Sequence, residues 1–204
     1  MSERTLSTGP GYRIIGLDQA LGAVPYPAET RADGNNFGYV DLIDHPERVN
    51  LVMEAREWSG IARLLKALNA VGSPFLSTAS ACEFVHVTGS PGEPEIVVAA
   101  YVGIAFRSPA MNQPDRHQRL AEALALRLSK PPQPFVSIDL VVAPLTHFFG
   151  LRGCFELEMR IQAWGHGKDD AQVCFDAVAT RIATGIQDIN AGFSRMQIKS
   201  RSGG

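Results

Sequence analysis

Asp41, Glu83 and Asp139 are the first residues in this chain whose types and spacing could do chemistry. Each carboxylate stands between apolar neighbours, in Val40-Asp41-Leu42, Cys82-Glu83-Phe84 and Ile138-Asp139-Leu140. If the three segments are equivalent strands of a repeated unit, their acids converge near a pseudo-threefold axis. There they would repel one another and either hold a hard metal cation or raise a pKa for acid–base work. The plainer reading leaves each acid on the polar face of a half-buried strand.

Two histidines are candidate proton carriers. His86 lies in Glu83-Phe84-Val85-His86-Val87, on the strand face shared with Cys82 and Phe84, and imidazole is the side-chain type most used for proton transfer. A hydrogen-bonded core histidine is the competing reading. His147 sits in Thr146-His147-Phe148-Phe149-Gly150, a loop too apolar for an ordinary surface. Its two aromatics either fold back into the core or form a subunit contact or a pocket lip, and burial or an interface is the favoured reading.

Glu156, Glu158, Arg160 and Gln162 alternate with Phe155, Leu157, Met159, Ile161 and Ala163, so one strand presents a core face and a polar face. Arg160 between carboxylates would make an anchor for an anionic group. Gly165-His166-Gly167-Lys168 precedes a helix and could cradle phosphate with backbone amides. The Walker spacing is missing, however, and Asp169 and Asp170 bring negative charge to where the anion would lie. There is no Gly-x-Ser-x-Gly elbow, no His-Glu-x-x-His and no dinucleotide fingerprint. Cys82, Cys154 and Cys174 are odd in number and widely spaced, which argues for reduced thiols in a cytoplasmic protein over disulfides or a thiolate zinc site. No motif names a cofactor, so the cofactor is left unknown.

The elements that must position these residues read as one α+β domain. Residues 1–36 are rich in glycine and proline and suggest an irregular arm with at most an edge strand at Tyr12–Ile15. Three strand-strand-helix (ββα) units are expected over residues 37–199, and residues 200–204 form a flexible tail. In the first unit, strands at Phe37–Ile43 and Val49–Glu57 lead to a helix that Ser59 caps, with Ile61, Leu64, Leu65 and Leu68 on one face. Pro46 could instead open a helix at its first turn. The second unit has strands at Ala81–Val87 and Glu95–Phe106 and a helix at Pro114–Leu128. The third has strands at Phe135–Val142 and Cys154–Trp164 and a helix from Asp169 or Asp170 to about Asn190. The expected assembly is a mixed or antiparallel sheet with helices on one face, and the internal repeat has a period of roughly 45–55 residues.

Composition excludes several function classes. The 204 residues are 45% apolar and 20% charged, ordinary globular usage rather than a disordered, collagen-like or disulfide-stapled chain. A formal charge of −2 gives no field for nucleic acid or anionic lipid, and the one local basic patch is Arg195, Lys199 and Arg201 in the tail. Met1–Pro10 has no apolar signal segment, and the longest apolar run, Ile96–Phe106, falls well short of the roughly 20 residues of a membrane helix. The expected protein is soluble, with neither a nucleic acid nor a membrane as partner. It binds a small molecule, or is an enzyme acting on one, at the polar sheet face near Asp139, Glu156, Glu158 and Arg160, with His86 or His147 carrying protons. The alternative is a non-catalytic assembly protein. Homo-oligomerisation is expected in either case.

Overall fold

Backbone pairing gathers the apolar runs of the chain into one six-stranded mixed sheet, and the protein is α+β. The computed structural model describes residues 3–29, 37–88, 92–129 and 135–201, with side chains as far as Phe193. In chain order the elements are β1 (Glu3–Gly9), β2 (Tyr12–Leu17) and β3 (Ala23–Val24), a 3-10 turn at Pro46–Leu51, α1 (Met53–Glu57), α2 (Ser59–Leu68), β4 (Phe75–His86) and β5 (Ile96–Phe106). A 3-10 turn at Pro109–Met111 then leads to α3 (Pro114–Leu128), β6 (Val136–Pro144), β7 (His147–Phe148), β8 (Phe155–Gly165) and α4 (Lys168–Arg201). The sheet order is β1-β2-β6-β8-β5-β4, antiparallel throughout except for the parallel β2–β6 pair.

One face of the sheet carries the main core. Leu157, Met159, Ile161 and Ala163 from β8 and Val98, Val102 and Ile104 from β5 meet α2, α3 and α4 there. The helices present matching stripes: Ile61, Leu64, Leu65 and Leu68 from α2, and Leu120, Leu124 and Leu128 from α3. Along α4, Ala171, Phe175, Val178, Ile182, Ile186 and Ile189 recur every three or four residues and are buried. Asp169 and Asp170 lie in the first turn of α4, where their charge suits the positive end of the helix dipole. Among the described residues, no helix is long and apolar enough to cross a membrane.

The N-terminal third departs from expectation. Residues 3–17 form a hairpin rather than an irregular arm, and β2 pairs with β6 from Tyr12↔Ile138 to Gly16↔Val142. β1 has no apolar periodicity and is largely exposed, so backbone pairing rather than burial makes it a strand. The strands expected at Phe37–Ile43 and Val49–Glu57 do not form. Residues 37–42 are irregular: Leu42 sinks into the core, Asp41 accepts the Ile43 N–H at 2.9 Å, and Asp44 adopts φ 56°. Pro46 then opens the 3-10 turn and α1 follows, the helical option that a proline at a first turn permits. Ser59 is the first residue of α2 rather than its cap, and its hydroxyl donates to Asp176 Oδ1 of α4 at 3.0 Å. The first of the three expected units is thus not built as proposed. The helix of the third runs on to Arg201, and residues 202–204 of the expected tail lie outside the described residues.

Among the described residues, the second face of the sheet has no layer of long helices. Residues 21–26 and 37–43 lie over part of it, held by the short parallel pair β3–β7 and by Leu21 N–H to Pro144 O and Thr146 N–H to Gly22 O. Buried Asn69 fixes how α2 hands the chain to β4. Its amide donates to Leu65 O (2.8 Å) and Ser77 Oγ (2.9 Å), and its Oδ1 accepts the Ser77 N–H (3.2 Å). Asn69→Ala leaves that buried N–H unpaired and is expected to lower stability by about 2 kcal/mol, measurable as a fall in the urea midpoint at unchanged m value.

Candidate functional site

The polar side of the sheet and the segment laid over it enclose a cavity of about 430 Å³. Its floor comes from Ser77–Ala81 of β4, Tyr101 of β5, and Glu156 and Glu158 of β8. Its walls come from residues 21–24, Tyr26, Glu29, residues 37–40 and 51–54, and Leu42, Leu65 and Leu145. This volume lies in the range of small-molecule sites, which are few in a protein of this size.

A β-bulge shapes the floor. Ser77 pairs with Ile104 and Ser80 with Val102, so β4 spends one residue more than β5 over this stretch. Thr78, inside the bulge, is 1% exposed and donates its hydroxyl to Glu156 Oε2 at 2.5 Å. The two side chains meet across Gly103 of β5. A Cβ on Gly103 would collide with Thr78 Oγ1 and would lie 2.8 Å from Glu156 Oε2, so the glycine is the gap through which the carboxylate reaches its partner.

Glu156 is 5% exposed. Burial pushes its carboxyl up to about 7, opposed by the Thr78 hydrogen bond and reinforced by the charge of Glu158. The neighbouring Glu158 is paired with Arg160, whose Nε donates to its Oε1 at 2.6 Å. Burial also raises the carboxyl of Glu54, on the opposite wall, with help from Glu57. Three tyrosines complete the polar lining. Burial raises the phenol of Tyr26 to about 12 and those of Tyr39 and Tyr101 above their ordinary value, so all three keep their protons near neutrality. Tyr26 packs edge-on against Tyr39 (6.1 Å between centroids), and Tyr39 against Phe149 (6.0 Å).

The residues singled out from the sequence divide into two groups. Glu156 and Glu158 line the cavity, and Arg160, on the same strand face, serves Glu158. Asp139 lies on β6 instead, gripped by Arg13 of β2 through Nε (2.7 Å) and Nη2 (2.5 Å), an ion pair that ties the hairpin to the sheet. His86 is exposed at the end of β4, in register with Ile96 and so on the helical side of the sheet, away from the cavity. His147 lies on β7 with Nδ1 buried, and no hydrogen-bond partner for that atom occurs among the described residues. Phe148 is in the core, and Phe149 is half exposed against Tyr39.

Asp41, Glu83 and Asp139 do not converge. Asp41 is in a loop, and the strands of Glu83 and Asp139 are three spacings apart in the sheet, about 14 Å. Among the described residues, no three His, Cys, Asp or Glu side chains are grouped to hold a metal ion. Burial raises the thiol of Cys82, which leaves it protonated and a poor nucleophile.

The site residues not foreseen are Thr78, Gly103, Tyr101, Glu54, Tyr26 and Tyr39. Gly103 carried the one readable signal, a lone glycine inside an apolar strand, which marks a close approach. No family model matches the chain, and comparison with curated proteins and with solved structures finds no significant similarity. The reading of the site therefore rests on its own chemistry.

Proposed function

We propose that this protein binds a small organic molecule in the cavity on the polar face of its sheet, with Glu156 as the central recognition group. The observation that carries this reading is a carboxylate almost wholly removed from water on the wall of a cavity of about 430 Å³, with only one of its oxygens satisfied by Thr78. Burying a carboxyl in this way costs stability unless something compensates, and perturbed acids in clefts concentrate at functional sites. With a pKa near 7, Glu156 is also the group best suited to accept or donate a proton if the bound molecule reacts.

Native mass spectrometry of the purified protein beside a denatured control tests the proposal. The expected result is one small organic molecule per chain, lost on denaturation and absent from an Ala81→Phe variant whose new ring occupies the cavity. Ala81 faces the cavity opposite Tyr101.

A second reading, homo-oligomeric assembly, is favoured by apolar side chains open to solvent: Phe37 and Leu51, which line the cavity, are 60% and 52% exposed, and Phe149 and Leu151, outside it, are 46% and 48% exposed. An oligomer that carries no added mass, with an unchanged state in Ala81→Phe, would overturn the first reading in favour of this one.

A further inference from the structure

The charges and rings that line the cavity select among ligands. Glu29, Glu54, Glu156 and Glu158 contribute to its walls, whereas no Lys, Arg or His does so among the described residues. The arginine on the floor strand, Arg160, is already engaged by Glu158 Oε1. Glu54 has no cationic partner among the described residues, and Glu156 Oε1 accepts no hydrogen bond among them. Tyr101 lines the same cavity as Glu54, Glu156 and Glu158, and burial, reinforced by the charges of those acids, raises its phenol above the ordinary value. On the far wall stand the rings of Tyr26, Tyr39 and Phe37.

From this arrangement we infer that the cavity is selective for an organic monocation, an ammonium head on an apolar body, with the head at Glu156 and the body against the tyrosine wall. The inference rests on the reading of the cavity as a ligand site and adds the class of ligand. An anion would be desolvated in a cavity lined by four glutamates and, among the described residues, by no basic side chain, which opposes its entry. A divalent metal would need ligands grouped around one point, and the described residues form no such group. An ammonium answers each feature separately. It donates to the free Glu156 oxygen in a charge-assisted hydrogen bond, and its field is complemented by the faces of buried aromatic rings.

Binding of a cation is coupled to the state of Glu156. Thr78 from β4 bonds that carboxyl, and the cavity is also lined by Tyr101 from β5, Glu158 with its Arg160 partner from β8, Glu54 from α1, and Tyr26, Glu29 and Tyr39 from the covering segment. Of these, Glu158 opposes ionisation of Glu156, as its burial does, and a bound ammonium favours it. Complex formation below about pH 7 therefore expels a proton from the carboxyl, and affinity for the cation rises with pH up to that point.

The test uses three probes of one size and shape: 2-phenylethylammonium, 2-phenylethanol and 3-phenylpropionate. Their binding is followed by titration calorimetry and by amide chemical-shift mapping. The ammonium is expected to bind at least about tenfold tighter than the alcohol, and the carboxylate weakest. Its binding heat at about pH 6 should vary with the ionisation enthalpy of the buffer, as release of a proton requires. Glu156→Gln, which keeps the acceptor for Thr78, should bring the ammonium-to-alcohol ratio to near one, whereas Glu83→Gln, exposed on β4 outside the cavity, should leave it unchanged. If the alcohol or the carboxylate binds as well as the ammonium at the cavity, the inferred ligand class is wrong and the cavity remains a ligand site. If no probe shifts residues 77–81, 101 or 156–158, both readings fall together.

Discussion

Glu156→Gln is expected to stabilise the ligand-free protein by about 3 kcal/mol at about pH 8 and to change almost nothing at about pH 4. The sign follows from where the proton is held. The folded-state pKa of Glu156 is raised to about 7 from an ordinary value of 4.5. Below the lower value the carboxyl is protonated in both states and burial exacts little. Between the two values the unfolded chain ionises first, so the fold loses stability as pH rises, and above about 7 the loss levels off. Glutamine stays neutral throughout while its carbonyl still accepts from Thr78, so the variant lacks this part of the pH dependence. Urea unfolding of both proteins across this range checks the prediction. Curves that stay parallel from acid to alkali would show that Glu156 is not held in a low-dielectric site. A bound cation would stabilise the wild type in the same pH window, because it compensates the same charge.

Gly103→Ala is expected to cost about 2–3 kcal/mol and to open the Thr78–Glu156 hydrogen bond. The new Cβ would meet Thr78 Oγ1 within contact distance and lie 2.8 Å from Glu156 Oε2, in an interior strand paired on both sides. Relief by a backbone shift is hindered because β5 is locked to β4 and β8 by their ladders. The interpretation is checked by a double-mutant cycle. Thr78→Ala should destabilise the wild type but add much less in the Gly103→Ala background, where the hydrogen bond is already lost. Additive losses would mean that the glycine matters for strand conformation alone.

How much of this was legible in the sequence depended on whether a residue's role is local or long-range. The helical stripes of α2, α3 and α4 and the alternation of β8 were readable because burial on one face imposes a period of about 3.6 or of 2 on the chain itself. The polar face of β8 therefore led directly to Glu156 and Glu158. Phe37–Ile43 misled for the complementary reason. Its apolar residues pack as irregular chain, Leu42 and Val40 against the main core and Tyr39 and Ile43 against the smaller cluster on the second face, so β-like composition served packing without pairing. β1 escaped notice because Glu3-Arg4-Thr5-Leu6-Ser7-Thr8-Gly9 has no core-facing pattern, and only its ladder to β2 makes it a strand.

The partners within the site were hidden at a further remove. That Thr78 stands beside Glu156 depends on β4 and β8 flanking β5 and on a bulge that turns the threonine toward the gap at Gly103. Neither strand order nor bulge position follows from local periodicity. Asp139 shows the converse. Its flanks resemble those of Asp41 and Glu83, but strand order puts it beside Arg13, where it closes an ion pair across the β2–β6 ladder.

The claim that the sheet-face cavity is the ligand site is tested most directly by amide chemical-shift mapping with a set of small polar-aromatic fragments. The account predicts perturbations concentrated at Ser77–Ala81, Tyr101 and Glu156–Glu158, diminished in Ala81→Phe. Perturbations confined to the Arg13–Asp139 pair or to the Phe149–Leu151 surface, with the cavity residues unmoved, would contradict it.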